Sequence, residues 1–153
     1  MTKSTKRSAA RTRQRRHSPP TLYVDECLGR GSALRLQAEG HDARPFDEFA
    51  GKADLDFLPV VGERQWVLVT KDKNVRKNQL EVNAILNAGV RAFVITATGL
   101  NHQQISDLVS RAMPKIVRIS RQQGPFVYNI TATGTMSQIS RRALERRAKG
   151  KKL

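Results

Sequence analysis

Trp66–Asp72 reads WVLVTKD, and the interpretation of this stretch decides the fold. Trp66, Val67, Leu68 and Val69 form an apolar run rich in β-forming side chains and too short for a helix. Such a run predicts a strand buried on both faces, in the middle of a parallel sheet. It stops on three polar residues, Thr70, Lys71 and Asp72. Open α/β sheets bind ligands beyond the carboxyl ends of their strands, so an acid there stands where chemistry is done. Leu22–Glu26 repeats the design: Leu22, Tyr23 and Val24 run apolar and end on Asp25 and Glu26.

Outward from these strands, helical and strand-like patterns alternate. Strand one is expected at Leu22–Asp25. A helix follows at Ser32–Glu39, with Leu34, Leu36 and Ala38 apolar and Gly40 at its C′ position. His41–Phe46 reads as a short strand and Asp47–Lys52 as a polar loop. Asp54–Glu63 reads as a helix that turns Leu55, Leu58 and Val61 to the core, although Pro59 removes a backbone donor within it. Trp66–Thr70 is the third strand. Gln79–Asn87 is a helix facing inward through Leu80, Ala84 and Ile85 or Leu86, with Gly89 as its stop, and Arg91–Thr96 is the fourth strand. Asn101 is placed to cap a helix carrying Ile105, Leu108, Val109 and Ala112, and Pro114 should divide it from a second helix, Lys115–Gln122. Phe126–Ile130 is the last expected strand. This alternation predicts an α/β fold, a parallel sheet covered by helices on both faces.

The chain has 153 residues and a net charge of +15, which is unevenly placed. Residues 1–20 carry +7 without one acid, residues 141–153 carry +6, and the stretch between them only +2. A nearly neutral globule of one domain with two basic tails is expected; residues 1–20, closed by Pro19 and Pro20, should be disordered. Tails of this kind suit a polyanion. The start lacks the apolar core of a secretory signal, although an Arg- and Ser-rich opening could mimic a transit peptide, and no run of about 18 apolar residues is present. A lone cysteine, Cys27, suits a reducing cytoplasm; it follows Asp25 and Glu26 directly, which leaves a catalytic role open, but it reads first as a small residue packed beside the first strand. His17, His41 and His102 are too scattered for a zinc site, and no phosphate-loop pattern occurs.

Asp25, Asp54 and Asp72 all fall at strand ends or a helix start on one expected edge of the sheet, with Glu26 and Asp56 beside two of them. Each acid alone could cap a helix or sit solvated. As a set they suit a hard divalent cation, Mg²⁺ or Mn²⁺, which takes carboxylate oxygens and often substrate phosphate. A metal so held generates a hydroxide nucleophile and clamps a phosphate oxygen, which points to phosphodiester hydrolysis. Thr70 is placed to bond Asp72 or the phosphate. Lys71 projects opposite to its neighbours and reads as solvated, while Arg76 and Lys77 could meet a phosphate backbone. Glu81 and Asp107 read as solvated helix positions.

TLYVDE, GHDARPF, DLDFLP and WVLVTKDKNVRKN, in this order, resemble the PIN-like domain family, close to its VapC-type toxin ribonucleases. The resemblance spans residues 21–131, which leaves 1–20 as a disordered basic tail and 132–153 as a basic C-terminal tail. It implies a three-layer α/β/α sandwich with a central parallel sheet and an acid cluster binding Mg²⁺ or Mn²⁺. Carried over residue by residue, Asp25, Asp54 and Asp72 are the metal ligands, with Glu26 and Thr70 completing the catalytic set. The departure is a further helical acid common in the family, for which Asp42, Asp47, Glu48 and Asp56 are candidates without a clean match. The function implied is a metal-dependent ribonuclease in the cytoplasm, paired as a toxin with an antitoxin protein; RNA and a second copy of the chain are the other expected partners, and no membrane is. Lys71, Arg76 and Lys77, with Arg11, Arg13, Arg15 and Arg16 of one tail and Arg141, Arg142, Arg146 and Arg147 of the other, are the expected nucleic-acid contacts. The alternative is a PIN-like module that grips nucleic acid without cutting it. A receiver domain, which shares the paired acids and the Thr-Lys pair, lacks its phosphoacceptor Asp here.

Overall fold

Leu22, Tyr23 and Val24 pair in parallel with Val67, Leu68 and Val69, so the two strands that end in acids are direct neighbours. The computed structural model describes residues 18–49 and 54–150. Its strands are β1 (Thr21–Val24), β2 (Asp42–Arg44), β3 (Val67–Thr70), β4 (Arg91–Ile95), β5 (Phe126–Ile130) and β6 (Met136–Ile139). Its helices are α1 (Arg30–Ala38), α2 (Asp54–Glu63), α3 (Asn74–Lys77), α4 (Gln79–Ala88), α5 (His102–Ile119) and α6 (Arg141–Ala148), with single 3-10 turns at Glu26–Leu28 and Phe46–Phe49. The sheet order is β2-β1-β3-β4-β5-β6. Every pairing is parallel except β5 with β6.

Side chains alternate across a strand, and this alternation divides the core in two. Leu22, Val24, Val67, Val69, Phe93 and Ile95 face one layer, where they pack with Leu36 of α1 and with Leu108, Val109 and Ile116 of α5. Tyr23, Leu68, Ala92 and Val94 face the other, against Phe57, Leu58 and Val61 of α2, Val82 and Ile85 of α4, and Leu144 of α6. The result is the expected three-layer α/β/α sandwich.

α2 and α4 touch closely where Gly62 meets Ala88: a Cβ on Gly62 would lie 2.6 Å from the Ala88 side chain. Asn101 caps α5 as expected, its side chain accepting from the Gln104 N–H at 2.8 Å while the Gln104 side chain accepts from the Asn101 N–H at 2.9 Å. Gly89 ends α4 with a φ of 72°, in the left-handed region. No described helix is long and apolar enough to cross a membrane.

Several expectations are corrected. Pro114 does not divide α5, which runs unbroken from His102 to Ile119. A proline inside a helix costs about 3 kcal/mol, but Pro114 itself is exposed while Met113 and Ile116 on either side are buried. Burying each of those is worth about 1.5–3 kcal/mol, which outweighs the lost bond. Leu55 and Leu80 are exposed rather than core, and Leu34 is exposed as well. At 3.6 residues per turn, Leu55 lies about 120° from Val61 around the helix and Leu80 about 140° from Ile85, too far to share a buried face. The Asp47–Lys52 loop begins instead as a 3-10 turn, Phe46–Phe49.

The largest correction is at the C-terminus. The expected boundary at residue 131 falls inside the β5–β6 hairpin, and the described part of the basic segment beyond it carries β6 and α6. Ser140 caps α6 through a bond from the Ala143 N–H to its Oγ at 3.1 Å, and Leu144, 1% exposed, anchors the helix. The single leucine among arginines, spaced four residues after a serine cap, is the signal of a docked helix. Residues 1–17, with Arg11, Arg13, Arg15 and Arg16, lie outside the described residues.

Candidate active site at the switch between β1 and β3

The strand order reverses direction between β1 and β3, because the chain crosses from β1 to β2 on one side and then returns past β1 to β3. Such a switch opens a crevice at the carboxyl ends of the two strands. Register fills it. Val24 lies beside Val69 and the Asp25 N–H bonds the Val69 carbonyl at 3.0 Å, so Asp25 falls beside Thr70. The Thr70 hydroxyl donates to Asp25 Oδ2 at 2.7 Å. That same Oγ1 accepts from the Asp72 N–H at 3.0 Å. One hydroxyl therefore ties both acids into a single unit.

Cys27 belongs to the unit, which its sequence reading as a packing residue missed. Its thiol donates to Asp25 Oδ2 at 3.2 Å, lies 3.3 Å from Thr70 Oγ1, and accepts from the Lys71 N–H at 3.4 Å. Burial pushes the thiol up to about 11, and the neighbouring Asp25 charge adds to the shift. The group therefore stays protonated at neutral pH and remains a donor. Its position two residues after Asp25, in a one-turn 3-10 helix that curls back over the strand end, is the only signal the sequence offers.

Asp25 is 6% exposed. Its partners are two neutral donors, and among the described residues it makes no ion pair. A buried carboxylate without a cation is costly, and its oxygen donors suit a hard one. Asp72 is half-buried, and its Oδ1 accepts from the Asn74 N–H at 2.9 Å, launching α3. Glu26 is exposed at the same rim. Asp54 opens α2 as expected, at the start of a crossover that leaves from the strand-end edge; its side chain lies outside the described residues. Among the described residues, no three His, Cys, Asp or Glu side chains stand close enough to hold a metal.

The candidates for a further helical acid resolve otherwise. Asp42 sits opposite Thr21 at the strand-start edge, where it accepts from Thr21 Oγ1 and Arg44 Nε, both at 2.8 Å, and the Arg44 bond holds its carboxyl below the ordinary range. Asp47 is paired with Arg30. Asp56 is exposed, and the Glu48 side chain lies outside the described residues. Asp107 is paired with Arg35 rather than simply solvated.

The basic candidates divide. Lys71 and Lys77 are exposed and Arg76 is half-buried. On α6, Arg141, Arg142 and Arg146 are exposed, with Arg141 paired to Glu145 at 3.1 Å. Arg147 is half-buried against α3.

The family described as PIN like domain matches residues 20–97, the stretch from β1 through β4 that contains every acid of this edge. The chain belongs to the PIN-like domain family. A protein of Mycobacterium tuberculosis (strain ATCC 25618 / H37Rv) named "Putative ribonuclease VapC45" is 27% identical over 116 residues, covering 71% of this chain and 84% of that protein. No solved structure matches significantly. Within this PIN-like chain, α5, β5, β6 and α6 lie beyond the matched stretch.

Proposed function

We propose that this chain is a divalent-metal-dependent endoribonuclease of the cytoplasm, the toxin of a toxin–antitoxin pair. The observation that carries the reading is Asp25, buried at the switch point with two neutral donors and no cation among the described residues. Membership of the family and the name of the mycobacterial relative support it. Asp25, Asp54 and Asp72 are assigned as ligands of Mg²⁺ or Mn²⁺. When bound, the ion supplies an acidified water and a positive charge against the phosphate. Thr70 and Cys27 fix the rotamer of Asp25 by donating to the same oxygen, and Thr70 holds the Asp72 backbone. Glu26, at the open rim, takes the proton released as water oxygen bonds to phosphorus; the phosphorus–oxygen bond to the leaving ribose breaks, and that oxygen is protonated from solvent. An antitoxin protein and a second copy of this chain are the proposed protein partners. The catalytic unit extends to the end of α6.

Incubation with single-stranded RNA tests the proposal. Cleavage is expected with Mn²⁺ or Mg²⁺, none in EDTA, and none by Asp25→Asn, Asp54→Asn or Asp72→Asn. Equal cleavage in EDTA, or a fully active Asp72→Asn variant, would falsify it. One observation favours the second reading, a binding module without catalysis: Asp72 Oδ1 is already engaged by the Asn74 N–H. RNA gel shifts without cleavage under any metal would establish that reading instead.

A further inference from the structure

α3 leaves the site directly. The Val75 N–H bonds the Asp72 carbonyl at 3.2 Å and the Arg76 N–H bonds the Lys73 carbonyl at 3.2 Å, so Arg76 lies one turn beyond Asp72. Its Nε is buried and, among the described residues, has no hydrogen-bond partner. A buried donor left unpaired is costly, so it calls for an explanation. A second arginine reaches the main chain of the same residue. Arg147, brought from α6 by the burial of Leu144, donates from Nη1 to the Arg76 carbonyl at 2.7 Å. Burial and the adjacent Arg76 charge both lower the affinity of Arg147 for its proton. Among the described residues, neither arginine makes an ion pair. Two like charges thus influence one another at a residue one turn beyond Asp72, and one of them has an unused donor.

We propose that Arg76 and Arg147 form one clamp for a single backbone phosphate of RNA, next to the scissile phosphate at the proposed Asp25–Asp72 metal site. A phosphate oxyanion offsets the repulsion between the two guanidiniums and supplies the acceptor that Arg76 lacks. The clamp joins α3, inside the matched family stretch, to α6, outside it. It rests on the ribonuclease reading only for the identity of the polyanion.

The test is binding of a short fluorescein-labelled oligouridylate to the full chain, followed by anisotropy in EDTA across a salt titration. Arg76→Gln leaves the Arg147 bond intact, since that bond ends on the Arg76 main chain, so this variant reports on the clamp without undocking α6. Arg76→Gln and Arg147→Gln are each expected to weaken binding about tenfold, as for a lost hydrogen bond to a charged group. Each should flatten the slope of log K against log salt by about 0.7, one single-strand phosphate. Because both serve one phosphate, the double variant should lose little more than either single variant. Arg118→Gln, exposed on α5 in the opposite layer, should change affinity less than about twofold, its contact being absent. Wild-type binding in both single variants, losses that multiply in the double variant, or no binding of the oligonucleotide by the native chain would overturn the clamp. Cleavage with Mn²⁺ is scored separately, so coupled losses without cleavage would retain the clamp and reject the nuclease.

Discussion

Asp25 and Thr70 are 45 residues apart in the chain, yet the threonine hydroxyl donates to the aspartate at 2.7 Å from a fully buried position. Nothing local makes that contact. It follows from the β1–β3 register, and it leaves the same oxygen accepting from the Asp72 N–H. Thr70→Val keeps the shape and removes both bonds. We expect RNA cleavage to fall at least tenfold and the protein to lose about 1–3 kcal/mol, a drop in Tm of about 2–10 °C for this size. Thr70→Ser should restore most of both. Activity in the valine variant equal to wild type would show that Asp25 needs no such support.

Metal should stabilise the protein because it neutralises a buried acid. One ion at 100 times its Kd adds about 2.7 kcal/mol, which is about 5–10 °C in Tm. Melting of the native chain in EDTA and across a Mn²⁺ titration measures it. Asp25→Asn and Asp72→Asn should gain little. A shift of equal size in either variant would place the ion elsewhere.

Cys27 is the only cysteine, so thiol chemistry reports on the site alone. With its thiol pushed up to about 11 by burial and then by Asp25, alkylation by iodoacetamide at pH 8 should run on the order of a hundredfold slower than for a free cysteine. The thiol also binds its proton more tightly folded than unfolded. Its contribution is therefore present below the unfolded value, about 8.5–9, and is lost as pH rises towards 11. Denaturant unfolding at pH 8 and at pH 10.5 should show wild type losing more stability over that interval than Cys27→Ala does. Parallel curves for the two proteins would refute the assignment.

Leu144→Ala tests whether α6 belongs to the domain. A buried leucine truncated to alanine costs about 2–5 kcal/mol, whereas the same change in an exposed tail costs almost nothing. The urea midpoint distinguishes the two directly.

The sheet was legible because its strands are apolar runs closed by polar residues, a pattern that needs no tertiary context. The acids were legible for the same reason: a strand that ends on Asp25 or on Thr70–Asp72 announces its own edge. What could not be read was anything fixed by contact between distant elements. Leu80 has the composition of a core residue and the wrong angle on its helix. Pro114 breaks a helix in isolation and not one held down by Met113 and Ile116. α6 looked like solvated tail because one leucine among arginines gives little apolar signal until α4 supplies the surface it covers. Cys27 could be suspected from its place after Asp25 and Glu26 but read first as packing, because its partners, Asp25 and Thr70, meet only when β1 and β3 pair.

That pairing also sets a timetable. Domains fold as the chain emerges from the ribosome, N-terminal parts first. β1 is made early, but its neighbour on the inner side of the sheet, β3, is not complete until Thr70 has emerged, and β2 can only take the outer side. Until then Asp25 has no hydroxyl beside it and the crevice has one wall. α6 is the last of the described helices to be made, and Arg147 comes with it. The Asp25–Thr70 bond therefore forms only once β3 is made, and the Arg147 bond to Arg76 only once α6 has docked, so the two halves of this edge are completed at separate times.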